Sequence, residues 1–429
     1  MKVLFSPIGS TDPISNYKDG AMLHICRVYR PDKIYFYLSK EMCKYHDLDD
    51  RYRESVHMLE KETGWQCQIE VIRDEEMENV QLFDAFINCF EQMIDDIRKK
   101  DLPDELLVNI SSGTPAMKAS LQMISILGSD IKAVQVSTPL KSSNKHHEDK
   151  DKYDLKTQWE FNEDRLDAYE NRCVVSNAKN LLDRIRKENI IKYIRVYDYE
   201  AAKMQAEELF VQPSEKFMQF LRIAAARKNL DLKYINANRK VIGCDKWFPI
   251  ITPREMKEYE YLLSMQVKLQ KKQYVDFMRD ITPIFYSLSQ RILKKYCKLS
   301  LTDIGEEKNN GWCLSMQKLQ QRGIKKGYNW HDNTNIAASN LLIIIEQLCN
   351  KKDVVGLMKN IRKAEQKVRN LAAHEIIGIS SEEIKKRTGG FTPDKIMDML
   401  FKLAVYSGIN IKERKAYDRM NEDLIKLLV

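Results

Sequence analysis

Two short stretches of this chain place polar and titratable side chains at spacings that permit chemistry. The first is Arg369-Asn370-Leu371-Ala372-Ala373-His374. A histidine titrating near neutrality moves protons. An arginine stabilises charge building on phosphoryl oxygens, and the Asn370 amide orients a scissile group. On RNA, whose 2′-hydroxyl is a built-in nucleophile, such a set would need no metal. Expected products are a 2′,3′-cyclic phosphate and a 5′-hydroxyl, and DNA, lacking the 2′-hydroxyl, should resist. A plainer reading pairs Arg369 with Glu365 one turn earlier and leaves His374 as a capping or surface group. The second stretch is Asn109-Ile110-Ser111-Ser112-Gly113-Thr114-Pro115-Ala116-Met117-Lys118. Thr114 fits a helix N-cap and Pro115 the first helical position. The following amides then point outward from a helix N-terminus, where open α/β sheets bind anions. An ordinary well-capped strand-to-helix turn has the same features. The stretch is neither a P-loop nor a dinucleotide fingerprint, since G-x-x-x-x-G-K-S/T and G-x-G-x-x-G are both absent from it.

These residues need elements to position them. Apolar strand-like runs at 3–8, 33–39, 67–72, 106–110 and 132–138 alternate with helical patterns at 17–30, 41–63, 80–100 and 115–128. That alternation predicts a Rossmann-like, doubly wound, mostly parallel sheet over residues 1–140. The first strand runs into Gly9-Ser10-Thr11-Asp12-Pro13. Strands one and four can flank the topological switch point, so the loops 10–12 and 111–114 are expected to face one ligand. Residues 141–165 are charged and read as a linker or hairpin. Strand signals then nearly vanish. Helices are expected at 164–194, 198–211, 214–228, 254–298, 311–323, 335–350, 353–378, 381–387, 393–406 and 412–428, giving a helical intermediate region over 166–250 and an all-α region over 251–429. On a regular helix Arg369 lies about 100° from Asn370 and about 140° from His374. One helix does not focus both on a single phosphate, but two copies facing across a two-fold axis do, which predicts a homodimer.

Composition limits the alternatives. With 429 residues, 43% hydrophobic and 31% charged, the chain has the make-up of a globular protein of two or three domains. The apolar run 337–348 is short and interrupted by polar residues, and residues 1–7 read as a first strand, so no membrane span is expected and the cytoplasm is the expected location. Nine scattered cysteines, never spaced C-x-x-C, read as buried reduced thiols. No metal motif is present; His146-His147 lies in the charged linker. The net charge of +8 divides unevenly: residues 1–140 hold 16 Lys/Arg against 23 Asp/Glu, and 141–429 hold 54 against 39. The basic half points to a polyanion partner, although solvated basic helices read the same way. Arg322, Lys325, Lys326, Tyr328 and Trp330 are candidates to guide a single strand by charge and stacking, or simply an exposed basic loop.

The run Asn-Ile-Ser-Ser-Gly-Thr-Pro-x-Met-Lys resembles the signature loop of CARF domains, the nucleotide-sensing modules of type III CRISPR systems. The R-x4-H spacing, with Asn370 in the polar position after the arginine, resembles the R-x4-6-H signature of HEPN ribonucleases. Together they make the chain similar to the CARF–HEPN effector nucleases of type III-A systems, over roughly 1–140 and 270–429. The resemblance implies an endoribonuclease with catalytic Arg369, Asn370 and His374. It implies no cofactor beyond an allosteric cyclic oligoadenylate, with the hexaadenylate ring favoured. Activator contacts are expected among Gly9, Ser10, Thr11, Asp12, Asn109, Ser111, Ser112, Gly113, Thr114 and Lys118, and Thr114 is further implied in slow degradation of the activator. Lys118 is the only lysine of the motif in an acidic half, so backbone amides must supply the positive potential. A ligand-responsive transcription regulator is the alternative from another class, though the second half is longer than a DNA-binding module needs. A metal-dependent nuclease would need convergent carboxylates, which the spacing does not offer.

Overall fold

The computed structural model describes residues 1–128, 130–138, 152–166, 169–250, 252–309, 311–374 and 379–428; the side chains of 368–374 lie outside that description. The chain forms two compact units, Met1–Leu182 and Asp183–Val429.

The first unit is built on six strands. β1 (Lys2–Pro7) is central, and a two-residue ladder of β2 (Ile14–Ser15) and β3 (Lys18–Asp19) follows it. β4 (Lys33–Ser39), β5 (Gln68–Asp74), β6 (Glu105–Asn109), β7 (Ile131–Val136) and β8 (Cys173–Ser176) complete the sheet in the order β5-β4-β1-β6-β7-β8. All pairs are parallel except β7 with β8. Pleating sends alternate side chains to opposite faces. Leu4, Phe36 and Leu107 pack with α1 (Ala21–Tyr29), α2 (Lys40–Asp49) and α3 (Arg51–Thr63). Val3, Phe5 and Tyr37 pack with α4 (Phe83–Asp101) and α5 (Pro115–Leu127) on the other face. The sheet is thus doubly wound, and β1 and β6 meet where the winding reverses.

The unit runs past the boundary expected near residue 140. Residues described within the expected linker form α6 (Leu155–Glu160) and a 3-10 turn at Glu163–Arg165. They are held by buried polar bonds: Asn162 Nδ2 donates to Asp19 Oδ1 at 2.7 Å, the Asp19 amide to Asp164 Oδ2 at 2.9 Å, and Arg172 Nη2 to Asp164 at 2.8 Å. The strand β8 then replaces part of the helix expected over 164–194.

In the second unit α7 (Lys179–Arg195), within which the unit boundary falls, is followed by α8 (Tyr199–Glu207), α9 (Glu215–Lys228) and α10 (Leu232–Ile242). Next come α11 (Pro253–Gln270), α12 (Tyr274–Cys297) and α13 (Leu301–Ile304). A hairpin of β9 (Gly305–Lys308) and β10 (Gly311–Leu314) interrupts the helices where one had been expected from 311. Gly305 is obligatory there, since a Cβ would lie 2.2 Å from the Cys313 carbonyl oxygen. α14 (Met316–Gln321), α15 (Ala338–Leu348), α16 (Lys352–His374), α17 (Ser381–Thr388), α18 (Pro393–Ser407) and α19 (Ala416–Leu428) complete the unit. One hydrophobic core runs from Ile190 to Leu428, so the expected division at residue 250 is not a break in packing. The buried Arg227 of α9 grips Glu260 of α11 at 2.7 and 3.0 Å and reaches the Ala416 carbonyl at 3.3 Å. No described helix is long and apolar enough to cross a membrane.

Candidate functional site

At the carboxyl edge of the sheet the loops after β1 and β6 touch backbone to backbone. A Cβ on Gly9 would stand 2.5 Å from the Gly113 nitrogen, closer than any side chain tolerates. Gly113 itself has φ +83° and is packed against Pro7 and the Met117 side chain. Two glycines therefore weld the loops into one surface, as their place at the switch point predicts. At the base of α5, Thr114 Oγ1 accepts the Met117 N–H at 3.3 Å. Pro115 has no N–H, so Ala116 carries the remaining first-turn amide.

The structure sorts the expected contact residues. Asn109 is consumed by its own loop: its Oδ1 accepts the amides of Ser111 and Ser112 at 2.8 and 3.2 Å, and its Nδ2 donates to Ser6 and Ser112 at 2.9 and 3.0 Å. Ser111 Oγ accepts the Val136 amide at 2.7 Å and so pins the loop to β7. Asp12, buried, accepts the Gly9 amide at 2.9 Å and the Met22 amide at 3.1 Å, closing its loop onto α1. Asn109 and Asp12 thus hold their own loops in shape. Ser10 and Thr11 are exposed and Lys118 half-buried at the same edge. Thr114 stands between the two groups, for its hydroxyl donates to the Val80 carbonyl at 2.6 Å. That carbonyl, on the segment between β5 and α4, has no side-chain chemistry to announce it in the sequence.

Arg369, Asn370 and His374 all fall on the last turns of α16, as expected, and their side chains lie outside the described residues. One turn earlier Glu365, fully buried, accepts Thr282 Oγ1 at 2.7 Å and Arg362 Nη1 at 2.5 Å. Trp330, expected as a stacking platform, is 8% exposed and closes over Gly327, so it serves the core; Tyr328 is 94% exposed. Arg322 is engaged with Asp303 at 2.7 Å.

Among the described residues one cluster, Asp19, His24 and Asp164, brings metal-type ligand atoms within 4.8 Å of one another. It does not fit a cation, because two guanidiniums already occupy it: Arg27 Nε donates to Asp19 at 2.6 Å, Arg172 to Asp164 at 2.8 Å, and His24 Nε2 accepts the Arg172 amide at 3.1 Å. Burial alone would raise the Asp164 pKa. The His24 contact, Arg172 and the Asp19 amide overcome it and hold the carboxyl down to about 2.

Three family models match in succession: the Csm6 CARF domain over residues 68–173, the Csm6 6H domain over 176–228 and the Csm6 HEPN domain over 247–425. The CRISPR system endoribonuclease Csm6 of Mycobacterium tuberculosis is 29% identical across 99% of this chain and 98% of its own length. That of Enterococcus italicus is 34% identical over 47% of each chain. The solved structure of Enterococcus italicus Csm6 bound to cyclic hexa-2′-fluoro-hexa-dAMP superposes with a TM-score of 0.70 at 19% identity, covering 100% of both chains, and so shares the fold. With its sheet, its helical second unit and the order of all three domains matched, the chain belongs to the Csm6 family of CRISPR-associated proteins.

Proposed function

We propose that this protein is a metal-independent endoribonuclease of CRISPR defence, cutting single-stranded RNA at Arg369, Asn370 and His374 and switched on by a cyclic oligoadenylate at the Gly9–Gly113 loop surface. The observation that carries the reading is the end of α16: within the stretch matched to the HEPN domain, that helix presents the R-N-x-x-x-H spacing. The substrate 2′-hydroxyl loses its proton and forms the new bond to the adjacent phosphorus. The bond from phosphorus to the 5′-oxygen breaks, and that oxygen takes up a proton. His374 moves protons, Arg369 stabilises the charge on the phosphoryl oxygens, and Asn370 orients the phosphate. Because Arg369 and His374 diverge around one helix, the groove takes residues from two copies, and the active form is a homodimer.

The welded loops supply a polar surface of main-chain amides, the Ser10 and Thr11 hydroxyls and Lys118, suited to an anionic ring with hydrogen-bonding bases. Switching requires the ring to bind the active arrangement more tightly than the resting one. The hexaadenylate is the favoured ring, and Thr114 is the residue placed to assist slow opening of the activator. The test is cleavage of a labelled single-stranded RNA in EDTA, with and without cyclic tetra- and hexaadenylate. Activity should need the activator, survive EDTA and be lost in His374→Ala and Arg369→Ala proteins. Full activity in purified His374→Ala protein would overturn the assignment, and activation by linear oligoadenylate alone would show that the ligand is wrong.

A further inference from the structure

A trough runs along the second unit between α11 and α12. At one end it is a cleft of about 390 Å³ lined by Lys257, Tyr261, Pro283, Tyr286 and Ser287; Arg254 joins it to a second cleft of about 340 Å³ at Arg291, Lys294 and Gly408. From Pro283 to Lys294 the α12 face spans about 17 Å at 1.5 Å per residue. Its charges are arranged in two tiers. The floor is neutralised internally: Arg291 reaches Glu255 at 3.1 Å and the buried Glu258 at 3.4 Å, and Ser287 Oγ donates to Glu258 at 2.6 Å. Tyr261 is tied to Asp280, which also holds Lys268. The rim is not neutralised. Arg254, Lys257 and Lys294 are exposed and form no ion pair among the described residues. Tyr286 is half-buried in the wall. Unpaired cations beside a half-buried aromatic ring are what a single-stranded nucleic acid binds, phosphates to the cations and a base to the ring.

The trough also leads somewhere. Thr282, which precedes Pro283 at its end, donates to Glu365 of α16, and Glu365 lies one turn before Arg369 on that helix.

We propose that the α11–α12 trough is the track that delivers single-stranded RNA to α16, gripping phosphates with Arg254, Lys257 and Lys294 and stacking a base on Tyr286. The proposal rests on the ribonuclease reading for its direction, but its binding chemistry is measurable apart from cleavage. A fluorescein-labelled, fully 2′-O-methylated single-stranded RNA 20-mer has no free 2′-hydroxyl to attack, so its Kd by fluorescence anisotropy reads binding apart from cleavage, and the trough variants isolate the track's share. The Lys257→Ala/Lys294→Ala protein should bind at least about fivefold more weakly at moderate salt. Its plot of log K against log salt should flatten by about 1.4, since each phosphate contact on a single strand contributes about 0.7 to the slope. Tyr286→Ala should weaken binding at least about fivefold, with Tyr286→Phe near the parent. An Arg184→Ala/Lys233→Ala protein, altered at exposed cations of α7 and α10, should keep both affinity and slope. Unchanged Kd and slope in the folded trough variants overturn the track. Wild-type protein that binds in this pattern but never cuts RNA overturns the ribonuclease reading and leaves the track standing.

Discussion

Thr114 carries two bonds on one hydroxyl, and their removal has a calculable cost. Its oxygen accepts the Met117 N–H at 3.3 Å, capping α5, and its proton goes to the Val80 carbonyl at 2.6 Å. Thr114→Val keeps the shape and deletes both. Loss of an N-cap costs about 1 kcal/mol. Loss of the second bond adds about 0.5–1 kcal/mol, since Val80 is half-buried and water can replace the donor. A loss of about 1.5–2 kcal/mol in a unit of this size lowers its melting temperature by about 3–8 °C. Thr114→Ser keeps both bonds and should melt within about 2 °C of the parent. The assay is thermal unfolding of the three proteins, followed by RNA cleavage against cyclic hexaadenylate concentration below the lower melting point. A Thr114→Val protein melting with the parent refutes the capping argument. A ligand that accepts the Thr114 hydroxyl must also exchange for the Val80 carbonyl, so it unties the segment between β5 and α4 as it binds. A Thr114→Val protein that responds to activator at the parent's concentrations shows that this exchange is no part of sensing.

Asp12→Ala should destabilise the first unit by about 3 kcal/mol in urea unfolding, because it orphans the amides of Gly9 and Met22. Arg227→Met should cost about 3–5 kcal/mol by leaving Glu260 buried and unpaired, and Arg227→Met/Glu260→Met should recover most of it. Asp164, held to about 2 against an ordinary 3.8, contributes stability that is complete above about pH 4 and lost as pH falls through 2; an Asp164→Asn protein should lack that limb of the acid titration.

The sheet was legible because its strands are short apolar runs punctuated by polar turns: β4 has the expected limits, and β1, β5, β6 and β7 shift by one or two residues. Helix breaks were not. The pattern over 41–63 continues without a glycine or proline, yet Asp50 turns left-handed at φ 50° and divides it into α2 and α3. Lys272 at φ 58° does the same between α11 and α12. Apolar periodicity reports which face is buried, not whether the axis is continuous. β8 and the β9–β10 hairpin were hidden for a different reason. Each strand is four residues long, too short to separate a period of two from one of 3.6, and β8 is specified by pairing with a strand remote in sequence.

At the carboxyl edge of the sheet, residue type marked the two loops that meet there but not the duties within them. Asn109, Ser111 and Asp12 are polar and sit at the carboxyl sheet edge, which is all that a sequence can say of a candidate contact residue. Whether a hydroxyl or carboxylate faces a ligand depends on what its own backbone has already claimed. Asp12 is claimed by two amides and Asn109 by two amides and two hydroxyls. The residues that join the loops, Gly9 and Gly113, act through the absence of a side chain, and Val80 acts through a carbonyl that every residue possesses. The converse error occurred at Trp330, where an aromatic ring among cations reads as a stacking platform until Gly327 is found beneath it. A polar side chain in a loop is thus evidence of a bond made, and only the count of donors and acceptors around it decides whether that bond is made inward or to a ligand.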